Sequence, residues 1–177
     1  MDYTQHYDSP LGGITLASDG EALIGLWFDG QKYFADTLSA VHQERSLPVF
    51  RDTVKWLDVY FSGRKPDFTP PLVMRCSDFR KTVWEIMLGI PYGKTMTYGE
   101  IAAAVARQRG LQRMSAQAVG GAVGHNSISL IIPCHRVVSA NGSLTGYAGG
   151  INKKVKLLTM EQTDMSAFFV PKRGTAL

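Results

Sequence analysis

Two short runs of apolar, β-prone residues open the pattern: 13–17, Gly-Ile-Thr-Leu-Ala, and 22–28, Ala-Leu-Ile-Gly-Leu-Trp-Phe. Ser18, Asp19, Gly20 and Glu21 lie between them, and their Asp-Gly pair predicts a hairpin. Residues 49–61 change to helical spacing, with Phe50, Val54, Leu57 and Phe61 on one face. Ser62 and Gly63 end that helix, and the proline-containing stretch 65–71 predicts an extended linker. A boundary is expected at 72–77, so residues 1–75 read as a small α/β domain of structural role.

The remaining chain reads as mostly helical. A helix over 78–88 carries Phe79, Val83, Ile86 and Met87, and stops before Pro91-Tyr92-Gly93. Thr97 and Glu100 form a capping box, in which the hydroxyl caps the third amide and the carboxylate reaches back. The helix it starts runs over 101–106 and ends in basic Arg107, Arg109 and Arg113. Ser115 can cap a further helix over 116–124, weakened by Gly120, Gly121 and Gly124 at ~1 kcal/mol each relative to Ala. What these small residues offer is close approach to another surface. Two successive helices with basic ends suit a helix-turn-helix, yet packing of helix on helix within the domain explains the same spacing. Residues 128–132, Ile-Ser-Leu-Ile-Ile, predict a short strand or extended segment leading into Pro133, Cys134, His135 and Arg136. A glycine-rich loop follows over 141–150, then a basic helix from 152 to about 161. The second domain is taken as 76–165 and the aperiodic remainder, 166–177, as a tail; the fold class is α+β.

Charge divides along the same boundary. Residues 1–75 carry seven Lys and Arg against ten Asp and Glu, a net of −3; residues 76–177 carry twelve against five, a net of +7. A basic half suggests a polyanionic partner, most simply nucleic acid, although a solvated basic face reads the same way. No apolar run approaches the ~18 residues of a membrane span. The N-terminus lacks a basic region followed by an apolar stretch, so no secretory signal and no membrane attachment are expected. Two cysteines, Cys76 and Cys134, make no disulfide framework, and a reducing cytoplasm is the expected compartment. The sequon Asn141-Gly142-Ser143 is then fortuitous.

Few motifs meet their own requirements. Gly93-Lys94-Thr95 suggests a phosphate loop, but the glycine required five positions earlier is Leu88, and a helix precedes it where a strand is needed. No paired Cys-x-x-Cys or His-Glu-x-x-His occurs and the histidines are scattered, so no metal and no cofactor are expected. His6 and His42 read as surface or packing residues. Cys134 differs: it follows a rigid proline and is flanked by His135 and Arg136, and basic neighbours favour the nucleophilic thiolate. A single cysteine after an apolar run is also commonly an inert buried thiol.

The segment 131–138, Ile-Ile-Pro-Cys-His-Arg-Val-Val, resembles the active-site signature of the 6-O-alkylguanine-DNA alkyltransferases, also called methylated-DNA–protein-cysteine methyltransferases. Pro91-Tyr92-Gly93, Thr97-Tyr98, Ala118-Val119-Gly120-Gly121-Ala122, Asn126 and Gly146-Tyr147-Ala148-Gly149-Gly150 fall in the same order as in that family. The resemblance runs over about 79–161, roughly half the chain. It implies a winged-helix-like second domain with a helix-turn-helix. It also implies DNA repair, in which the alkyl group of 6-O-methylguanine, and of 4-O-methylthymine, passes irreversibly to the protein once per molecule.

By resemblance, Cys134 accepts the alkyl group, and His135, through water and Glu161, takes the thiol proton. Asn126 ties the helix-turn-helix to the active-site segment. Tyr98 donates a proton to the guanine ring nitrogen, and Lys154 stabilises the leaving group. Tyr147, Ala148, Gly149 and Gly150 wall the pocket. Gln117, Ala118, Gly120, Gly121, Thr97 and Arg136 form the DNA-facing set, with Arg136 also an ion-pair donor. The implied partner is double-stranded DNA carrying alkylated guanine, met by a monomer that flips the base out of the stack. The sequence departs from the family at Gln117, where the wedge residue is usually arginine, and in about five extra residues around 107–113. Two other readings use the same features. A lesion-binding relative that transfers nothing would lack the acceptor, which Cys134 supplies. A thiol-sensing DNA regulator would need a dimer interface or a regulatory domain, and neither is evident.

Overall fold

The computed structural model describes residues 1–172 and divides into two compact units of an α+β architecture. The first comprises Met1–Arg75 together with Ser127–Ile131. Its four-stranded mixed sheet has the order β3-β2-β1-β4. The strands are β1 (Asp2–Ser9), β2 (Gly12–Ser18), β3 (Leu23–Phe28) and β4 (His42–Glu44). β2 and β3 form the expected hairpin, Ile14 opposite Phe28, with an irregularity at Ala17 and Ser18. β1 pairs antiparallel with β2 and parallel with β4.

Every residue of β3 is buried, and its outer edge is closed by backbone from elsewhere in the unit. The Leu23 amide donates to the Pro71 carbonyl at 2.8 Å and the Leu23 carbonyl accepts from Val73 at 2.9 Å. Leu26 is paired likewise with Ser127 and Ser129, both at 2.9 Å. This leaves no unpaired ladder on that side to recruit another chain. Of the short strand or extended segment expected over 128–132, only Ile128 forms a bridge, opposite Leu26, and the rest is corrected to a turn. The backbone then turns, with Leu130 at φ 70° and the Ile131 amide donating to the Ser129 carbonyl at 2.8 Å.

Helix α1 (Pro48–Phe61) starts on a proline and buries Val49, Phe50, Thr53, Trp56, Leu57 and Tyr60. The buried face is therefore rotated from the expected one: Val54 and Phe61 are only half-buried, because Trp56 and Tyr60 offer more apolar area than Val54. At the end of the unit the Arg75 guanidinium grips both carboxylate oxygens of buried Asp2, at 2.7 and 2.9 Å. That grip holds the Asp2 carboxyl well below its usual range.

The second unit comprises Cys76–Asn126 and the chain from Ile132 onward. Its helices are α2 (Asp78–Leu88), α3 (Tyr98–Arg109), α4 (Ala116–Gly124) and α5 (Ile151–Met160). Thr97 and Glu100 form the expected full capping box and Ser115 accepts from Gln117 and Ala118; Ser77, not expected as a cap, accepts from the Arg80 amide. α2, α3 and α4 share a core that includes Val83, Trp84, Met87, Ile101, Val105, Val119 and Val123. Trp84 Nε1 donates to the Ala122 carbonyl at 2.9 Å, which satisfies the one polar atom of a buried ring. Two features go beyond the sequence expectation. β5 (Met96–Thr97) pairs in parallel with β6 (Val137–Val138), Met96 opposite Val137. Phe169 exchanges backbone hydrogen bonds with Gly142 and Leu144, both at 3.0 Å, so the start of the expected tail packs on the glycine-rich loop. Residues 173–177 of that tail lie outside the described residues.

Candidate active site

Cys134 opens a one-turn 3₁₀ helix, Cys134–Arg136, and is 5% exposed. Pro133, at φ −82° and ψ 69°, turns the chain into it, and the Cys134 amide donates to the Ile132 carbonyl at 2.8 Å. The same carbonyl accepts from Asn126 Nδ2 at 2.7 Å, which ties the end of α4 to the residues before the thiol. Beyond the turn, Lys154 Nζ donates to the carbonyls of Val137 at 2.6 Å and Thr145 at 3.2 Å. Both ends of the nucleophile segment are thus held by buried side chains.

The two residues after Cys134 hold a buried carboxylate. Glu161, which caps α5, faces His135 Nε2 across 2.5 Å with Oε2 and accepts from Arg136 Nε at 2.7 Å with Oε1. Arg136 also donates to the Ile90 carbonyl at 2.8 Å, and the Gly93 amide approaches Glu161 at 3.4 Å. Burial alone would raise the Glu161 carboxyl. The hydrogen bonds and charges of His135 and Arg136 outweigh it and bring the pKa down to about 2. His135 is fully buried, and burial lowers its pKa despite the neighbouring carboxylate. A neutral imidazole beside an ionised carboxylate must donate from Nε2, since the carboxylate can only accept. Nδ1 then carries the lone pair and is the basic atom of the ring.

Tyr98 begins α3, directly after the β5–β6 pair that joins it to the end of the nucleophile segment. Burial, with a smaller contribution from negative charge at Cys134, raises its pKa to about 12. A phenol so raised stays protonated as a donor. Its hydroxyl sits against Gly146, where φ is +81° and an added β-carbon would lie 3.0 Å from the oxygen. Its ring rests 3.9 Å from the corresponding point on Gly120 of α4. Tyr147 is buried and meets the His135 ring edge-on at 6.4 Å. Burial and the negative charges of Cys134 and Glu161 raise its phenol well above the usual range. Ala148, Gly149 and Gly150 are half-buried and lead into α5.

The structure sorts the remaining expected residues differently. Gln117, Ala118 and Gly121 are exposed on the outer face of α4, and Gly120 is half-buried against Tyr98. Thr97 spends its hydroxyl accepting from the Glu100 amide at 3.0 Å. Arg136 is corrected as a DNA-facing residue: it is 8% exposed and its donors go to Glu161 and Ile90, since a buried carboxylate needs that partner. Lys154 is fully buried, which lowers its pKa to about 8, and it binds backbone carbonyls. Ile90 and Gly93 join this network without having been expected from the sequence; the Pro91-Tyr92-Gly93 motif was the available signal.

No described helix is long and apolar enough to cross a membrane. The family model of the 6-O-methylguanine DNA methyltransferase DNA binding domain matches residues 78–163. That of the same family's ribonuclease-like domain matches residues 3–74. A methylated-DNA–protein-cysteine methyltransferase of Mycobacterium tuberculosis is 43% identical over 161 residues, 89% of this chain and 93% of the relative. One from Methanosarcina acetivorans is 40% identical over 160 residues, 90% and 97% of the two chains. Among solved structures, Mycobacterium tuberculosis OGT in complex with DNA superposes with a TM-score of 0.78 at 41% identity, covering 90% of this chain and 92% of that one.

Proposed function

Because the chain belongs to the methylated-DNA–protein-cysteine methyltransferase family, we propose that it repairs DNA by moving the alkyl group of 6-O-methylguanine, and of 4-O-methylthymine, irreversibly onto Cys134. The observation that carries the assignment to Cys134 is the buried His135–Glu161–Arg136 network that begins at the next residue of the same 3₁₀ turn. Neutral His135, oriented by Glu161, accepts the thiol proton at Nδ1 through an intervening water. The sulfur attacks the alkyl carbon, a C–S bond forms, and the C–O bond breaks with its electron pair passing to the base. Tyr98 supplies a hydrogen-bonded proton to the ring nitrogen as charge develops there, and is reprotonated from solvent. The sum is thiol plus methylated base giving thioether plus guanine. A thioether is a poor leaving group, so each molecule acts once.

The target oxygen is reached only when the base is flipped, at a cost of a few kcal/mol that a badly paired base reduces. In this reading α3 and α4 form a helix-turn-helix, and α4 presents Ala118 and Gly121 to the minor groove, where short side chains permit close approach. Tyr147, Ala148, Gly149 and Gly150 wall the pocket, Asn126 and Lys154 position the nucleophile segment, and residues 1–75 serve a structural role. The protein acts as a monomer in a reducing cytoplasm, where Cys76 and Cys134 remain free thiols. Intact-mass measurement and peptide mapping after incubation with a duplex containing 6-O-methylguanine test the proposal. One methyl replacing one hydrogen on the Cys134 peptide supports it; methyl on another residue, or none, overturns it.

A further inference from the structure

α4 carries no charged side chain along its whole length, Ala116–Gly124. A duplex docked on its outer face would nonetheless bring two rows of phosphates with it, spaced at one charge per ~1.7 Å of helix axis. The cations that could meet one row stand on the last turn of α3 and on the connection that follows it. α3 closes at Gly110, with φ 65°, and the residues leading to Ser115 fold back along it. A groove of about 380 Å³ results, floored by Gly99, Ala102, Ala103 and Ala106 of α3. Arg107 and Arg113 stand on its walls, both exposed.

Neither guanidinium is engaged by a carboxylate or another acceptor among the described residues, and none of the described lining residues is acidic. Arg109, between them in sequence, behaves differently: it donates to Thr82 Oγ1 at 3.2 Å and lies over the Phe79 ring at 5.6 Å. Glu100, the acidic side chain of the first turn of α3, is turned back onto the Thr97 amide at 3.2 Å. Arg109 is thus committed to the protein, while Arg107 and Arg113 are left to the solvent side. The floor of methyl and methylene groups lets a backbone approach closely, and Ala116 of the groove wall leads directly to exposed Gln117.

We infer that this groove seats the phosphodiester backbone of one DNA strand, with Arg107 and Arg113 each taking a phosphate. They thereby supply beside α4 the positive charge that α4 lacks. The inference rests on the proposed DNA-repair function and adds to it a binding surface for the strand. Its test uses the full chain carrying Cys134→Ser, to prevent turnover, and a duplex containing 6-O-methylguanine, with affinity measured over a range of salt. The pair Arg107→Gln/Arg113→Gln is expected to flatten the log–log salt slope by about 1.8, about 0.9 for each phosphate no longer neutralised. The pair Arg107→Lys/Arg113→Lys keeps the charge and is expected to keep the slope, with thermal midpoints of both pairs unchanged. An unchanged slope in the Gln pair, or an equal flattening in the Lys pair, overturns the phosphate seat while leaving the repair function standing. Failure of the parent chain to bind the duplex at any salt overturns both.

Discussion

The hydroxyl of Tyr98 and the α-carbon of Gly146 are packed so closely that a β-carbon on residue 146 would lie 3.0 Å from the oxygen. Gly146 also has φ +81°, a region that costs an ordinary L-residue roughly 1–2 kcal/mol. The glycine-rich loop is therefore shaped around the phenol that the mechanism uses as donor. Gly146→Ala is expected to displace Tyr98 and slow alkyl transfer from duplex DNA and from free 6-O-methylguanine alike, with a modest loss of stability. Parallel transfer rates and a thermal melt check this; an unchanged free-base rate would show that the seat is dispensable.

The Glu161 network sets the acid limit. The folded-state pKa of Glu161 is depressed to about 2 from an ordinary 4.5, and that of His135 is also lowered, from 6.5. For both groups the unfolded chain binds the proton more readily, so their contributions are fully present above the unfolded values and are lost as pH falls. Unfolding free energy should decline below pH 6.5 as His135 is forced to charge, and further between about 4.5 and about 2 as Glu161 is protonated. Transfer should hold its rate at pH 6.5, where an ordinary histidine is half-protonated. Glu161→Gln leaves Arg136 buried without a counter-charge, at a cost of roughly 3–5 kcal/mol. Denaturant titrations of the parent and the variant across this range test the assignment, and an acid profile identical in Glu161→Gln would contradict it.

Where an apolar pattern or a cap determined local structure, the sequence was a sufficient guide. The β2–β3 hairpin follows from two apolar runs around an Asp-Gly pair, α2 from its apolar spacing, and the starts of α3 and α4 from Thr97 and Ser115. β1 escaped because Asp2, Thr4, Gln5, His6 and Asp8 give it no apolar alternation; pairing to β2 and β4 on both sides holds it. Ile128 to Ile132 are apolar without being a strand, since one bridge to Leu26 is followed by a turn. The two-residue β5–β6 pair is too short for any periodicity to reveal, yet it brings Tyr98 to the nucleophile segment.

The candidate site divides in the same manner. Cys134, His135 and Glu161 were legible from the motif and its resemblance, although nothing in the spacing of residues 135 and 161 gives the hydrogen bond between them. Arg136 and Lys154 look like surface cations in sequence and are buried donors in the fold. The Glu161 carboxylate and the Ile90 carbonyl for Arg136, and the Val137 and Thr145 carbonyls for Lys154, make that burial tolerable.

Gln117 stands exposed in the first turn of α4, and the family resemblance makes it the residue proposed to fill the space of a flipped base. Glutamine stacks and hydrogen-bonds without charge. Gln117→Ala should slow transfer from duplex DNA far more than transfer from the free base, because only the duplex requires flipping. Equal slowing of both reactions would assign Gln117 to the pocket or the fold.

The role of Cys134 is tested by counting the methyl groups transferred by three chains exposed to the same 6-O-methylguanine duplex: the parent, Cys134→Ser and Cys76→Ser. Cys134 lies before the His135–Glu161 pair, whereas burial pushes the half-buried Cys76 thiol up, away from its reactive form. One methyl per molecule is expected in the parent and in Cys76→Ser, and none in Cys134→Ser with duplex binding retained. Transfer persisting in Cys134→Ser, or lost in Cys76→Ser, would contradict the assignment of the nucleophile.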